Sequence, residues 1–106
     1  MSIFEKREDA FENKFAKDQE AEFKVKAKRN KIIANWAAEL LGFDKNGVHK
    51  YIDGILYLAI DDGASDEEII DKIYNDFVKA EVKISKNDLE REFSLKYNQA
   101  KKELGL

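Results

Sequence analysis

The fold is decided by residues 7–42, which read REDAFENKFAKDQEAEFKVKAKRNKIIANWAAELLG. This stretch contains no proline and no glycine before Gly42, so a single long helix can run through it. Gly42 is well placed to end that helix, because glycine adopts the left-handed backbone conformation of a helix C-terminus at little cost. We therefore expect one helix to run from the N-terminal region to Leu41.

Two apolar clusters lie on nearly the same face of this helix. On a helical wheel the first cluster spans a sector of about 40°, and the second falls in nearly the same sector. The clusters are Phe4, Phe11 and Phe15, and then Ile33, Trp36 and Leu40. The positions that should connect them are Asp18, Glu22 and Arg29, which a folded core does not accept unpaired. We therefore expect two parts: residues 1–19 form an arm that binds a partner, and residues 20–106 form a helical body.

The arm is expected to be helix-prone but mobile in the free protein. About half of residues 1–19 are charged, and none is leucine. Such a segment forms only a marginal helix in water on its own. The arm must therefore become ordered by contact with a partner or with the body. In the second case its phenylalanines would pack back onto the body instead of binding a partner.

Three further helices are predicted in the body. The second covers roughly residues 45–60, the third follows Ser65 and the fourth follows Ser85. Glu68, three residues after Ser65, completes a capping box. Gly54 lies inside the second helix and weakens it unless a neighbouring helix crosses closely there. Because the connections are short, we expect an all-α, four-helix bundle with antiparallel neighbours.

Composition excludes several classes of function. The net charge is −3, and there is no cysteine, one histidine and no glycine-rich phosphate loop. No run of about 18 apolar residues exists, and the N-terminal residues are too charged for a signal peptide. We therefore expect a cytoplasmic monomer that is not an enzyme and has no cofactor and no metal site. Trp36 is expected to fill the centre of the core, and His49 to be exposed.

Two charged segments are better explained by helix chemistry than by a binding site. The basic residues between 24 and 31 do not predict nucleic-acid binding, because the sequence pI is about 5.3 and Glu20 and Glu22 precede Lys24 and Lys26 by four residues. The acidic residues between 61 and 71 lack the spacing of a calcium-binding EF-hand loop. Glu67 and Glu68 fall instead where acids complement a helix N-terminus.

Several short runs at fixed spacing carry a resemblance to a known family. They are Ala10–Ala16 (AFENKFA), Asp18, Glu20, Phe23–Lys24, Arg29–Lys31, Trp36–Glu39 (WAAE) and Gly42. Together they resemble the zeta-subunit family, which comprises small inhibitors of the rotary F-type ATP synthase in alphaproteobacteria. The sequence departs from the family pattern at residues 61–68, which lack the usual proline. This departure affects the expected conformation of the turn at these residues and not the arm.

The resemblance implies a helical bundle whose mobile N-terminal arm binds the catalytic head of the synthase and blocks ATP hydrolysis. The arm helix is expected to insert between an α and a β subunit, with contact to γ left open, at the cytoplasmic face of the bacterial inner membrane. The expected partner-binding residues are Phe4, Arg7, Phe11, Glu12, Asn13, Lys14 and Phe15. Of these, the helical pattern indicates only the three phenylalanines. Two alternatives stay open: a nucleotide-binding bundle, and an adaptor whose arm enters another helix groove.

Overall fold

The protein is all-α, with four helices in a computed structural model that describes residues 3–106, and the side chains from residue 18 onwards. The helices are α1 (Ile3–Leu40), α2 (Lys45–Ile60), α3 (Asp66–Lys79) and α4 (Lys86–Glu103). Residues 3–106 contain no strand. The predicted four-helix class is therefore confirmed. The expected mobility of the arm falls on residues 1–17, outside the fully described part of the chain.

The predicted punctuation sets the helix ends. At the end of α1, Gly42 has φ +80°, its N–H donates to the Glu39 carbonyl, and the Phe43 N–H donates to the Ala38 carbonyl. These two bonds are those of a Schellman motif. Ser65 and Glu68 form the expected capping box at the start of α3. The turn before α3 closes without a proline, because Gly63 supplies a φ of +65° there.

The core lies where α1 packs against α2 and α4, with α3 closing the bundle against α4. All four helices contribute buried side chains to one cluster, which consists of Ile33, Ala34, Ala37, Ile52, Ile55, Ile69, Ile73, Phe77, Leu89 and Phe93. The small alanines of α1 let the neighbouring helices approach closely. Because Ile33, Ala34 and Ala37 are part of this core, the C-terminal half of α1 belongs to the folded body.

The predicted role of Trp36 in the core needs correction. Phe77 is fully buried and fills the centre, whereas Trp36 is only partly buried and packs its ring edge-on against Phe77, with ring centroids 5.8 Å apart. Leu40, expected on the buried face, is 42% exposed. The physical reason is that the face of α1 in contact with the other helices is centred on alanines, including Ala34 and Ala37. Trp36 therefore lies beside the contact, and Leu40 points away from it.

The break in the apolar stripe of α1 is shorter than expected. Glu22 is exposed as predicted, but Val25, Arg29 and Asn30 are 2%, 3% and 4% exposed. Arg29 was expected to interrupt the core, and it instead lies inside it, because its guanidinium is fully paired. The folded core of the body therefore begins at Val25, two helical turns earlier than the Ile33 cluster indicates.

Candidate functional site

The expected partner-binding residues all belong to the first half of α1. They are Phe4, Arg7, Phe11, Glu12, Asn13, Lys14 and Phe15. Their backbone lies within the helix Ile3–Leu40, and their side chains lie outside the described residues. The described side chains of α1 begin at Asp18, at the base of the arm, where the helix enters the body.

The first described turns of α1 form a solvated helical segment. Asp18 and the following residues up to Lys24 are exposed, apart from the partly buried Ala21. The Lys24 ammonium lies 3.5 Å from the Glu20 carboxylate, and the Lys26 ammonium lies 3.9 Å from that of Glu22. These are the predicted i, i+4 pairs. Exposed ion pairs of this kind add little to the stability of the protein. Residues 18–24 are therefore a charged, solvent-exposed part of α1 that precedes its buried residues.

A buried arginine attaches α1 to the start of α3. The Arg29 guanidinium donates to both carboxylate oxygens of Asp66, at 2.9 and 3.2 Å. It also donates twice to the side-chain oxygen of Asn30, at 2.9 and 3.1 Å, and it lies 4.1 Å from the centre of the Phe93 ring. We call this arrangement the Arg29 clamp. It satisfies a buried cation by charge, hydrogen bonds and an aromatic face, as burial of a charge requires.

Helix α4 also contacts α1, at positions that lie nearer to the arm than Arg29 does. The Tyr97 hydroxyl donates to the Glu22 carboxylate at 2.8 Å, and this hydrogen bond raises the pKa of Tyr97 above its usual range. Lys28 lies 3.7 Å from the carboxylate of Glu103. Together with the Arg29 clamp, these contacts set the direction in which α1 leaves the body.

The described surface carries grooves that are open to solvent. One groove of about 490 Å³ lies between the base of α1 and the α2–α3 connection. Two of the charged residues that line it, Arg29 and Asp66, are bonded to each other. Within residues 18–106 no group of three or more metal-ligating side chains occurs. No described helix is both long and apolar enough to cross a bilayer.

A family model described as ATPase inhibitor subunit zeta matches residues 1–103. The chain belongs to this family. The match covers the arm and nearly all of the body, so it confirms the resemblance that the short runs in α1 indicated. No curated protein and no solved structure matches the chain. As a zeta-family member, the protein is an ATPase inhibitor subunit by family description.

Sequence reasoning missed the residues that attach α1 to the rest of this zeta-family protein. Arg29 is four residues after Val25 and four before Ile33, which is the spacing of one buried helical ridge. That spacing was the available signal that Arg29 is buried. Its partner Asp66 is 37 residues away and was considered only as one of the acidic residues between 61 and 71 that lack EF-hand spacing. A pairing over that distance is not visible in a local pattern.

Proposed function

We propose that the protein inhibits ATP hydrolysis by the F-type ATP synthase by inserting residues 1–19 as a helix at an α/β catalytic interface of the head. The observation that carries the proposal is the zeta-family match, which includes the arm as well as the body. The inhibitory arm and the body, residues 20–106, have separate tasks in this proposal.

The packing of the body supports this division of α1. Its core is closed by buried side chains from Val25 to Ala100, without a contribution from residues 18–24. In the described part of the chain, no buried side-chain nitrogen or oxygen lacks a hydrogen bond. A body with a complete core can present the arm's apolar face to a partner.

The arm acts as a wedge in this mechanism. Phe4, Phe11 and Phe15 share one helical face and enter an apolar groove between the subunits, the mode in which amphipathic helices bind proteins. The charged residues Arg7, Glu12 and Lys14 and the neutral amide Asn13 lie beside them. They fix the register, and the charges speed the encounter.

The body remains outside the cleft, because a bundle of four helices is about twice as wide as one helix. Insertion obstructs the opening of the α/β interface that accompanies rotation in the hydrolysis direction. The result is conservation of ATP when the proton gradient fails, at the cytoplasmic face of the bacterial inner membrane.

The test is steady-state ATP hydrolysis by the cognate enzyme as a function of inhibitor concentration. Phe11→Ala with Phe15→Ala should weaken inhibition at least a hundredfold, because each buried phenylalanine contributes about 2 kcal/mol or more to a groove. The matched control is Phe43→Ala, which removes a phenylalanine that is 45% exposed in the connection after α1. It should inhibit like the intact protein.

Two results would contradict the proposal. Equal inhibition by the arm double variant and the Phe43→Ala control would show that the triplet does not anchor the arm. No inhibition by the intact protein would show that this family member lacks the activity. Lys14→Glu separates steering from anchoring, because it should slow association more strongly at low salt than at high salt.

A further inference from the structure

An exposed apolar surface lies at the base of the arm. Phe23 is 60% exposed, which is the highest value among the large apolar side chains described, and Ile60 at the end of α2 is 52% exposed. Both line the groove of about 490 Å³, together with the small residues Ala27, Ala59 and Ala64. We call Phe23, Ile60 and the groove between them the shoulder.

The two large side chains of the shoulder, Phe23 and Ile60, are not part of the core cluster. The core is closed by other residues, and a phenylalanine with most of its surface in water gains little from folding. The polar groups in the groove offer little to a small molecule, because the Arg29 guanidinium already donates hydrogen bonds to Asn30 and to Asp66. Lys26 and Glu67 border the groove and add charge of both signs. An apolar centre with a charged rim is typical of a protein interface.

The position of the shoulder identifies the partner surface. Helix α1 is unbroken from Ile3 to Leu40, so the arm and Phe23 belong to one continuous rod. Phe23 comes four residues after the arm ends at residue 19, about 6 Å further along the helix axis. A cleft that encloses the arm therefore brings its own rim to the shoulder.

We propose that the shoulder docks on the rim of the catalytic head, beside the cleft that receives the arm. This inference rests on the proposed function and adds a second contact surface to it. The occupant is the protein surface of the α or β subunit that borders the cleft. Burial of Phe23 and Ile60 there would strengthen binding without any change in the arm.

The first test compares Phe23→Ala with Val78→Ala in the full-length protein. Val78 is 57% exposed, close to the value for Phe23, but it lies in the last turn of α3, about 18 Å along that helix from Asp66. Phe23→Ala should raise the inhibitor concentration needed for half-inhibition about tenfold. Val78→Ala should leave it unchanged, and both variants should melt like the parent.

The second test places a benzophenone photo-crosslinker at position 23 or, in a separate sample, at position 78. Irradiation with the isolated catalytic head should link position 23, and not position 78, to an α or β subunit. If Phe23→Ala inhibits as well as Val78→Ala, or if position 23 links only to a second copy of this chain or to nothing, the shoulder proposal is wrong. The arm variants then still test the inhibitory mechanism. If the intact protein does not inhibit and the crosslinker at position 23 links to neither subunit, both proposals fail.

Discussion

The Arg29 clamp makes a specific prediction about stability, since it can be compared with a second ion pair of the same length. Arg29 and Asp66 approach to 2.9 Å with the arginine 3% exposed, whereas Lys86 and Asp71 approach to 2.8 Å with their side chains 43% and 47% exposed. The two ion pairs have nearly equal N···O distances, but the cation is buried only in the Arg29–Asp66 pair. Asp66→Ala should therefore destabilise the protein strongly, and Asp71→Ala should not.

The magnitude follows from what remains around the guanidinium. Breaking a fully buried ion pair by removing one partner costs about 3 to 5 kcal/mol. Here the cost is lower, because Asp66 is 48% exposed and Asn30 still accepts two hydrogen bonds from Arg29. Loss of an acid from the first turn of α3 adds about 0.3 to 1 kcal/mol. We expect Asp66→Ala to lower the free energy of unfolding by about 2 kcal/mol, and the melting temperature by roughly 10 °C.

The assay is urea unfolding followed by far-ultraviolet circular dichroism, with the slope checked for each variant so that midpoints can be compared. A double-mutant cycle with Arg29→Met isolates the interaction between the two side chains, and should give a coupling of at least about 1 kcal/mol. Equal midpoints for Asp66→Ala and Asp71→Ala would refute the clamp. So would a coupling free energy near zero.

Three further changes test the packing of the body by thermal or urea unfolding. Gly54→Ala should stabilise the protein by about 0.5 to 1 kcal/mol, because a methyl group at Gly54 meets no atom within 4 Å in a helix interior; destabilisation would indicate an unrecognised close contact. Phe77→Ala should cost about 3 to 5 kcal/mol, and Trp36→Ala less, about 2 to 3 kcal/mol, because only Phe77 is fully buried; the reverse order would place the tryptophan at the centre. Burial and the hydrogen bond to Asp76 raise the pKa of Tyr51 above its usual range, so the folded state retains this proton. The stability it contributes is complete below the unfolded-state pKa of about 10, and it is lost progressively as the pH rises from there towards the higher folded-state pKa. Tyr51→Phe should therefore flatten the fall in melting temperature above about pH 10. An unchanged alkaline slope would contradict that assignment.

Local signals in the sequence account for most of the fold. The second helix, Lys45–Ile60, has the predicted bounds, and Ser65 and Ser85 cap α3 and α4 as expected. Gly42 ends α1 through its positive φ. These features depend on neighbouring residues only, namely caps, breakers and the helical period, so a single sequence contains them.

The position of the core along α1 could not be predicted in the same way. Arg29 was expected to exclude its turn from the core, because an unpaired buried charge is too costly. Its burial depends on Asp66 and Phe93, which only the tertiary fold brings beside it. Trp36 was misplaced for a related reason: wheel position shows which face is apolar, but the neighbouring helices decide which residue of that face lies at the centre.

The partner-binding residues raise a different difficulty. Phe4, Phe11 and Phe15 could be selected because they share one face of the helical wheel and are separated from the Ile33 cluster by charged positions. Arg7 and Lys14 have no pattern that separates them from an ordinary solvated helix face. Their roles depend on the shape and charge of a second protein, which this chain does not encode. Those assignments stay predictions that the inhibition assays address.

The most direct measurement is ATP hydrolysis by the cognate synthase in the presence of the protein lacking residues 1–19, with thermal unfolding followed on the same samples. The prediction is loss of inhibition, at concentrations where the intact protein blocks hydrolysis, together with an unchanged melting temperature, because the core begins at Val25. Full inhibition by the truncated protein would contradict the central claim and place the inhibitory surface in the four-helix body.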